Sequence, residues 1–201
     1  MLDSDIIKLI INGNTDKYRV LVQKYQDRVF HVCMGYVHNE DDANDLTQET
    51  FIKAYLSLNT FKFKSSFATW IYRIAVNICL NYIRKKKGNI IDRIENAIDS
   101  VTSNHKLQIP DYSNPEEILI TEEHKKVIFI EIDRLSPKQK TAFILSKYDE
   151  LPQKEIAEIM QITEGAVESL IQRAKTNLQK RLKNKINQSN DTTLQMILMC
   201  F

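Results

Sequence analysis

With 201 residues, 43% of them hydrophobic and 27% charged, the chain has a globular balance and is long enough for one ordinary domain or two small ones. Only four Gly and four Pro occur and alternating β-branched runs are few, which excludes a turn-rich sheet protein and favours helices. The formal charge of +2 hides an uneven distribution: residues 1–87 carry 13 basic and 9 acidic side chains, 88–119 carry 2 and 6, and 120–201 carry 13 and 11.

Two mildly basic binding domains separated by an acidic segment are the simplest account of that pattern. Cys33, Cys79 and Cys200 are far apart in the sequence, odd in number and without a CxxC pair, so neither a disulfide framework nor a metal site is expected. A reducing cytoplasm fits. The N-terminus lacks the basic start and apolar core of a signal peptide, and no run is long enough to cross a bilayer, so no membrane insertion is expected.

In chain order, residues 3–11 predict a short helix ended by Asn12 and Gly13. A longer helix is expected from about Thr15 with Asn14 as N-cap; Tyr18, Leu21, Val22, Tyr25, Val29, Val32 and Tyr36 recur on one face of it. Asn39 can cap a third helix, whose first turn carries Glu40, Asp41 and Asp42 at the positive end of its dipole. Its inner stripe is Ala43, Leu46, Thr50, Phe51, Ala54 and Leu58, and a second stripe of Asp45, Gln48, Glu49 and Ile52 faces elsewhere, as a solvated face or a docking face. The acidic spacing does not fit a calcium loop.

Residues 59–66, NTFKFKSS, interleave Phe61, Lys62, Phe63 and Lys64 before Ser65 or Ser66 caps the next helix. Such residues suit a base-stacking, phosphate-attracting loop, and equally two core aromatics beside solvated lysines. The helix over 67–87 buries Phe67, Trp70, Ile71, Ile74, Ile78 and Tyr82, leaving Arg73, Asn77 and Asn81 outward before a positive tip of Arg84, Lys85, Lys86 and Lys87. A hydrogen-bonding face running into positive charge suits a nucleic-acid backbone.

Residues 88–113 read as an acidic flexible linker that holds a short helix near 90–97. Asn114, Pro115 and Glu117 spell an N-cap, a first-turn Pro and a reciprocal carboxylate for a helix to about Leu135. Ser136, Pro137 and Gln139 repeat the signal for a helix through Tyr148, with Ala142, Phe143 and Leu145 inward. Residues 151–180 then divide into a short helix with Ile156, Ala157 and Met160 inward, a tight turn at Gln161 and Ile162, and a helix capped by Thr163 with Val167, Leu170, Ala174 and Leu178 inward.

Two short helices joined by a turn of three to four residues form the helix-turn-helix pattern. Its second helix would offer Thr163, Glu164, Gly165, Glu168, Ser169 and Gln172 to base edges in a major groove, with Arg173 and Lys175 placed for phosphates. The tail from Asn184 is polar until an apolar octet, residues 194–201. The fold expected is all-α: two small helical domains joined by a flexible linker, the C-terminal one a helix-turn-helix domain. His31, His38, His105 and His124 are scattered and no phosphate loop or nucleophile elbow occurs, so a binding protein without catalysis or cofactor is expected.

Taken together, DDANDLTQETFIKAYLSL, FATWIYRIAVNICLNYIRKKK and LSPKQKTAFILSKYDELPQKEIAEIMQITEGAVESLIQRAKTNL, in that order and at that separation, resemble a bacterial RNA polymerase sigma factor of the extracytoplasmic-function type across about residues 14–183. The resemblance implies a region 2 domain over 1–87, a linker over 88–113, a region 4 domain over 114–183 and a tail over 184–201. It implies that Asp41, Asp45, Gln48 and Glu49 dock on the clamp helices of core RNA polymerase. The loop at 59–66 would receive a base flipped from the minus-ten element, Arg73, Asn77 and Asn81 would follow the melted strand, and Arg84 to Lys87 would hold duplex phosphates. The helix-turn-helix would read the minus-thirty-five element, the linker would thread the polymerase channel, and an anti-sigma factor is a possible further partner. Departures from the family pattern are Glu168 and Leu170, where basic residues are frequent, Gln161, where Gly is usual in the turn, and Pro152, where Ser often begins the preceding helix.

Overall fold

The computed structural model describes residues 1–96 and 122–189. Every regular element among them is helical: α1 (Asp3–Ile11), α2 (Tyr18–Val37), α3 (Glu40–Leu56), α4 (Phe67–Asn96), α5 (Glu122–Asp133), α6 (Pro137–Lys147), α7 (Gln153–Met160) and α8 (Glu164–Ser189), with two short 3-10 turns, Thr15–Lys17 and Leu58–Thr60. The chain falls into two compact units, the first holding α1 to α4 and the second most of α5 to α8.

In the first unit α2, α3 and α4 pack pairwise on one another. Their shared core is built from Leu21, Val29, Val32 and Tyr36 of α2, Ala43, Leu46 and Ala54 of α3, and Ile71, Ala75 and Ile78 of α4, all buried. Each large side chain removed from water in this way contributes about 1.5–3 kcal/mol. The hydroxyls of Thr47 and Thr50 are also buried, and each donates to the carbonyl one turn back, Ala43 and Leu46, at 2.7 Å. Tyr18 closes the edge of this core, its hydroxyl donating to the Phe51 carbonyl at 2.7 Å. Helix α1 docks through Ile6, Ile7 and Ile10. The Asp3 carboxylate pins it to α2 by accepting from Lys24 Nζ at 2.7 Å and from the Tyr25 hydroxyl.

Cys33 and Cys79, distant in the sequence, meet in this core as fully buried thiols with their Sγ atoms 3.7 Å apart. Neither stood on the inward stripes that periodicity assigned, and their separation in the sequence carried no information about their meeting. Cys200 lies outside the described residues.

Several expected boundaries move. Helix α2 begins at Tyr18, not Thr15, and Asn14 makes no side-chain cap. Its N–H instead donates to the Leu9 carbonyl at 3.0 Å, so Asn14 closes the exit of α1, where Gly13 takes φ 100°. Helix α4 does not stop at Lys87 but runs through Gly88 to Asn96, which moves the linker's start into the helix. One Gly inside a helix costs about 1 kcal/mol relative to Ala, too little to end it. The rest of the expected linker, and the start signal at Asn114, lie outside the described residues.

In the second unit α8 packs against α5 and α6, with Ala174 and Leu178 set among Ile132, Leu135 and Phe143. Ser136 Oγ caps α6 by accepting from the Gln139 N–H at 3.4 Å, while the Gln139 side chain turns to α8 and accepts from Asn177 Nδ2 at 3.3 Å. Glu131 is buried with its carboxylate 2.8 Å from the Arg134 guanidinium and 3.9 Å from Lys185 Nζ. Helix α8 continues past Asn184 to Ser189, because Leu178, Leu182 and Ile186 extend the buried stripe at a spacing of four. The apolar octet, residues 194–201, lies outside the described residues.

Candidate nucleic-acid and protein interfaces

Helix α3 has two unlike faces. Asn39 Oδ1 accepts from the Asp42 N–H at 2.9 Å and sets the first turn, after which a spacing of three and four turns Ala43, Leu46, Thr50 and Ala54 inward. Asp41, Asp45, Gln48 and Glu49 are all exposed on the other side, and Ile52, 60% exposed, extends their stripe toward the helix end. An exposed strip that joins carboxylates, an amide and one aliphatic side chain suits a protein partner with basic and apolar groups.

Asp42 departs from that strip. It reaches α4, where its Oδ2 lies 3.1 Å from Lys86 Nζ, and the same ammonium sits 5.4 Å from the Tyr82 ring centroid. Partial burial works against the Lys86 charge, but the Asp42 carboxylate and the Tyr82 hydroxyl outweigh it and raise the pKa. Lys86 therefore shares its charge with Asp42 within the unit while staying exposed itself. Arg84 and Lys85 are exposed; the Lys87 side chain lies outside the described residues.

The two aromatics of the loop at 59–66 differ in exposure. Phe61 is buried, with ring centroids 5.3 Å from Trp70 and 6.2 Å from Phe67, so it is a core residue and no base can stack on it. Phe63 is 44% exposed and lies at φ 56°, in the left-handed region that a residue with a bulky side chain rarely adopts. Its ring leans on Phe61 at 4.9 Å, and Lys62 and Lys64 are exposed beside it. Ser66, not Ser65, caps α4 by accepting from the Thr69 N–H at 3.0 Å. Beyond the cap, Asn77 and Asn81 are exposed and Arg73 is half-buried, and Asn81 Oδ1 accepts from Arg84 Nη2 at 3.0 Å. Loop and polar stripe thus lie along one helix, within a unit whose α3 carries the acidic strip.

The helix-turn-helix forms as spaced. After α7 the chain turns at Gln161, φ 57°, and the Ile162 N–H donates back to the Ala157 carbonyl at 3.1 Å. Thr163 Oγ1 accepts from the Ala166 N–H at 3.3 Å and starts α8. Val167 and Ala174 point inward, while Thr163, Glu164, Gly165, Glu168, Ser169, Gln172 and Arg173 are exposed and Lys175 is half-buried. A Cβ built on Gly165 would meet nothing within 4 Å, so the opening turn of α8 is open to a partner.

Sequence reasoning missed the Asp42–Lys86 pair and the approach of α1 to the aromatic loop, where Lys8 Nζ lies 5.9 Å from the Phe63 ring centroid. Local spacing shows only that each residue points outward, and nothing in the sequence could signal which distant residue it meets.

Comparison with known proteins places the chain in a family. A sigma-70 region 2 model matches residues 21–89 and a sigma-70 region 4 model matches residues 131–178. The chain is 33% identical over 178 residues to the ECF RNA polymerase sigma factor SigW of Bacillus subtilis, covering 89% of this chain and 95% of that one. It is also 33% identical over 187 residues to the ECF RNA polymerase sigma-E factor of Escherichia coli K12, covering 91% and 95%. Among solved structures, CnrH in complex with the cytosolic domain of CnrY superposes with a TM-score of 0.63 at 19% identity, over 89% of this chain and 96% of that one. Sigma factor RpoE in complex with the anti-sigma factor NepR from Bartonella quintana gives a TM-score of 0.60 at 22% identity, over 83% and 96%. Two sigma-70 regions in order, at this identity over nearly the whole length of the relatives, make the chain a member of the extracytoplasmic-function sigma factors of bacterial RNA polymerase.

Proposed function

We propose that this sigma factor divides its work among the faces described above, as a promoter-specificity subunit with no catalysis of its own that acts in the cytoplasm. Sigma factors of this family direct RNA polymerase to promoters and support initiation, and this chain does so as a member. On our reading Asp41, Asp45, Gln48 and Glu49 of α3 bind core polymerase. Phe63, Lys62 and Lys64 receive a base flipped from the non-template strand, Arg73, Asn77 and Asn81 follow that strand, and Arg84, Lys85 and Lys87 hold the adjoining duplex. Thr163 to Gln172 meet the minus-thirty-five bases, with Arg173 and Lys175 on phosphates.

The observation that carries the reading is the pairing, in one packed unit, of an exposed acidic strip on α3 with an exposed loop and polar stripe leading along α4. Negative charge repels a phosphate backbone, so the α3 strip suits a protein, while the α4 side suits nucleic acid. Melting then follows from stacking: extruding a base costs a few kcal/mol, and an aromatic platform returns about 1–3 kcal/mol per base. Strand separation is favoured only where the extruded base fits, and duplex contacts position the protein without reading sequence. The domain limits we assign are region 2 through α4, and region 4 from α5 through α8. An anti-sigma factor is a further partner on this reading, by analogy with the Bartonella quintana relative.

Reconstitution tests it. The purified chain should co-elute with core polymerase and support promoter-dependent run-off transcription. Asp45→Ala with Glu49→Ala should weaken core binding and leave the fold intact, whereas Asn77→Ala should spare core binding and impair opening. The reverse pattern would overturn the assignment of faces, and a symmetric duplex footprint formed without polymerase would favour a stand-alone regulator.

A further inference from the structure

We infer that Lys8 of α1 is part of the base-capture site: with Phe63 it forms a two-part cradle for one extruded nucleotide, the ring taking the base and the ammonium taking the phosphate. The inference rests on the reading of residues 59–66 as the base-receiving loop, and it adds a residue from outside residues 21–89, where the region 2 match lies.

Lys8 Nζ lies over the Phe63 ring, 5.9 Å from its centroid, within the range at which an ammonium is drawn to an aromatic face. Both partners are held there. Helix α1 is anchored by three buried isoleucines and by the Asp3 carboxylate on Lys24 and Tyr25, so Lys8 projects from a docked helix and not from a loose terminus. Phe63 keeps an unfavourable left-handed backbone while leaving 44% of its surface exposed. Strained, exposed residues of this kind concentrate where a ligand is met.

The chemistry of a single-stranded nucleotide matches the pair. A base stacks on an aromatic ring whatever its sequence, and as it takes the ring the Lys8 ammonium moves off the face to the rim, where that nucleotide's phosphate lies within its reach. Before DNA arrives, the ammonium steadies the ring, so less order has to be imposed on binding. A charge at the rim also makes capture salt-dependent, because each phosphate neutralised releases a counterion.

The test uses holoenzyme reconstituted from the full chain and core polymerase. Its probe is a promoter duplex that the wild-type holoenzyme selects from a random-sequence pool, with 2-aminopurine replacing each non-template adenine of the minus-ten element in turn. Lys8→Gln should lower the open-complex equilibrium about two- to fivefold and flatten its log–log salt dependence by about 0.7, leaving core affinity and thermal midpoint unchanged. Lys8→Arg should restore both. Phe63→Ala should remove the unstacking signal, and Lys8→Gln added to it should bring little further loss in ring-dependent opening. If Phe63→Ala impairs opening while Lys8→Gln behaves as wild type at every salt concentration, the cradle is wrong and the loop reading stands. If Phe63→Ala leaves opening intact, the loop reading itself fails and the cradle with it. A fall in core affinity or thermal midpoint that accounts for the Lys8→Gln defect would make Lys8 structural and overturn the inference.

Discussion

Gln161 sets the angle at which α8 leaves α7, and its backbone makes a sharp prediction. At φ 57° it occupies a conformation that costs a residue with a Cβ about 1 kcal/mol or more. Its side chain is exposed, so replacing it forfeits little packing. Gln161→Gly removes the steric penalty but gives the unfolded chain extra freedom worth about 0.4–1 kcal/mol, so a penalty of about 1 kcal/mol leaves a net stabilisation of about 0–0.6 kcal/mol. Gln161→Ala keeps the Cβ and should be close to neutral. Gln161→Val adds a branched Cβ where φ is positive and should lose about 1 kcal/mol more. At about 4–8 °C per kcal/mol for a unit of this size, the midpoint should rise by up to about 5 °C for Gly and fall by about 4–8 °C for Val. Calorimetry of the intact chain, followed at the transition of the second unit, measures the series. An order in which Gly is the least stable, or in which Val matches Gln, would refute the argument that backbone strain sits in this turn.

Other predictions are more direct. Asp42→Ala should release Lys86 toward DNA, steepening the log–log salt dependence of holoenzyme binding by about 0.9, and an unchanged slope would mean that Lys86 gains no phosphate. Burial, with a smaller contribution from Tyr55, raises the Tyr18 pKa far above its ordinary value near 10, so the folded state prefers the neutral phenol. The stabilisation is fully present below about pH 10 and lost as pH rises beyond it. The urea midpoint should therefore fall above about pH 10, and Tyr18→Phe should make that fall shallower while losing about 1 kcal/mol at neutral pH with the bond to the Phe51 carbonyl. Equal slopes in both proteins would contradict this. Cys33 and Cys79, both fully buried, should resist iodoacetamide in the native protein and become labelled together as the α2–α4 core opens, measured by mass spectrometry of their peptides. Labelling at the rate of an exposed thiol would contradict their burial.

Most of the secondary structure was legible because its signals are local. Asn39, Ser136 and Thr163 each stand three residues before the N–H they cap, and the buried stripes of α3 and α8 repeat at three and four. The failures had local causes too. Asn14 looked like a cap for the helix after it and closes the helix before it through its backbone N–H, a bond that no side-chain signal marks. Gly88 read as a break, but a single Gly weakens a helix without ending it. Ile186 fell within a polar stretch that suggested a tail, although its spacing from Leu182 continued the stripe.

For the candidate sites, the sequence settled which residues face outward on α3 and α8, and with them the two-region character of the chain. Helical period is a property of the backbone and needs no knowledge of the partner it packs on. The tertiary structure alone decided which of Phe61 and Phe63 is free to meet a base, that Lys86 is held by Asp42, that Cys33 meets Cys79, and that Lys8 reaches the aromatic loop. Each of these joins groups from different helices or turns, and such pairs are selected by how three helices and a docked fourth fill one core. That choice is made by shape and volume across the whole unit, and no window of neighbouring residues contains it.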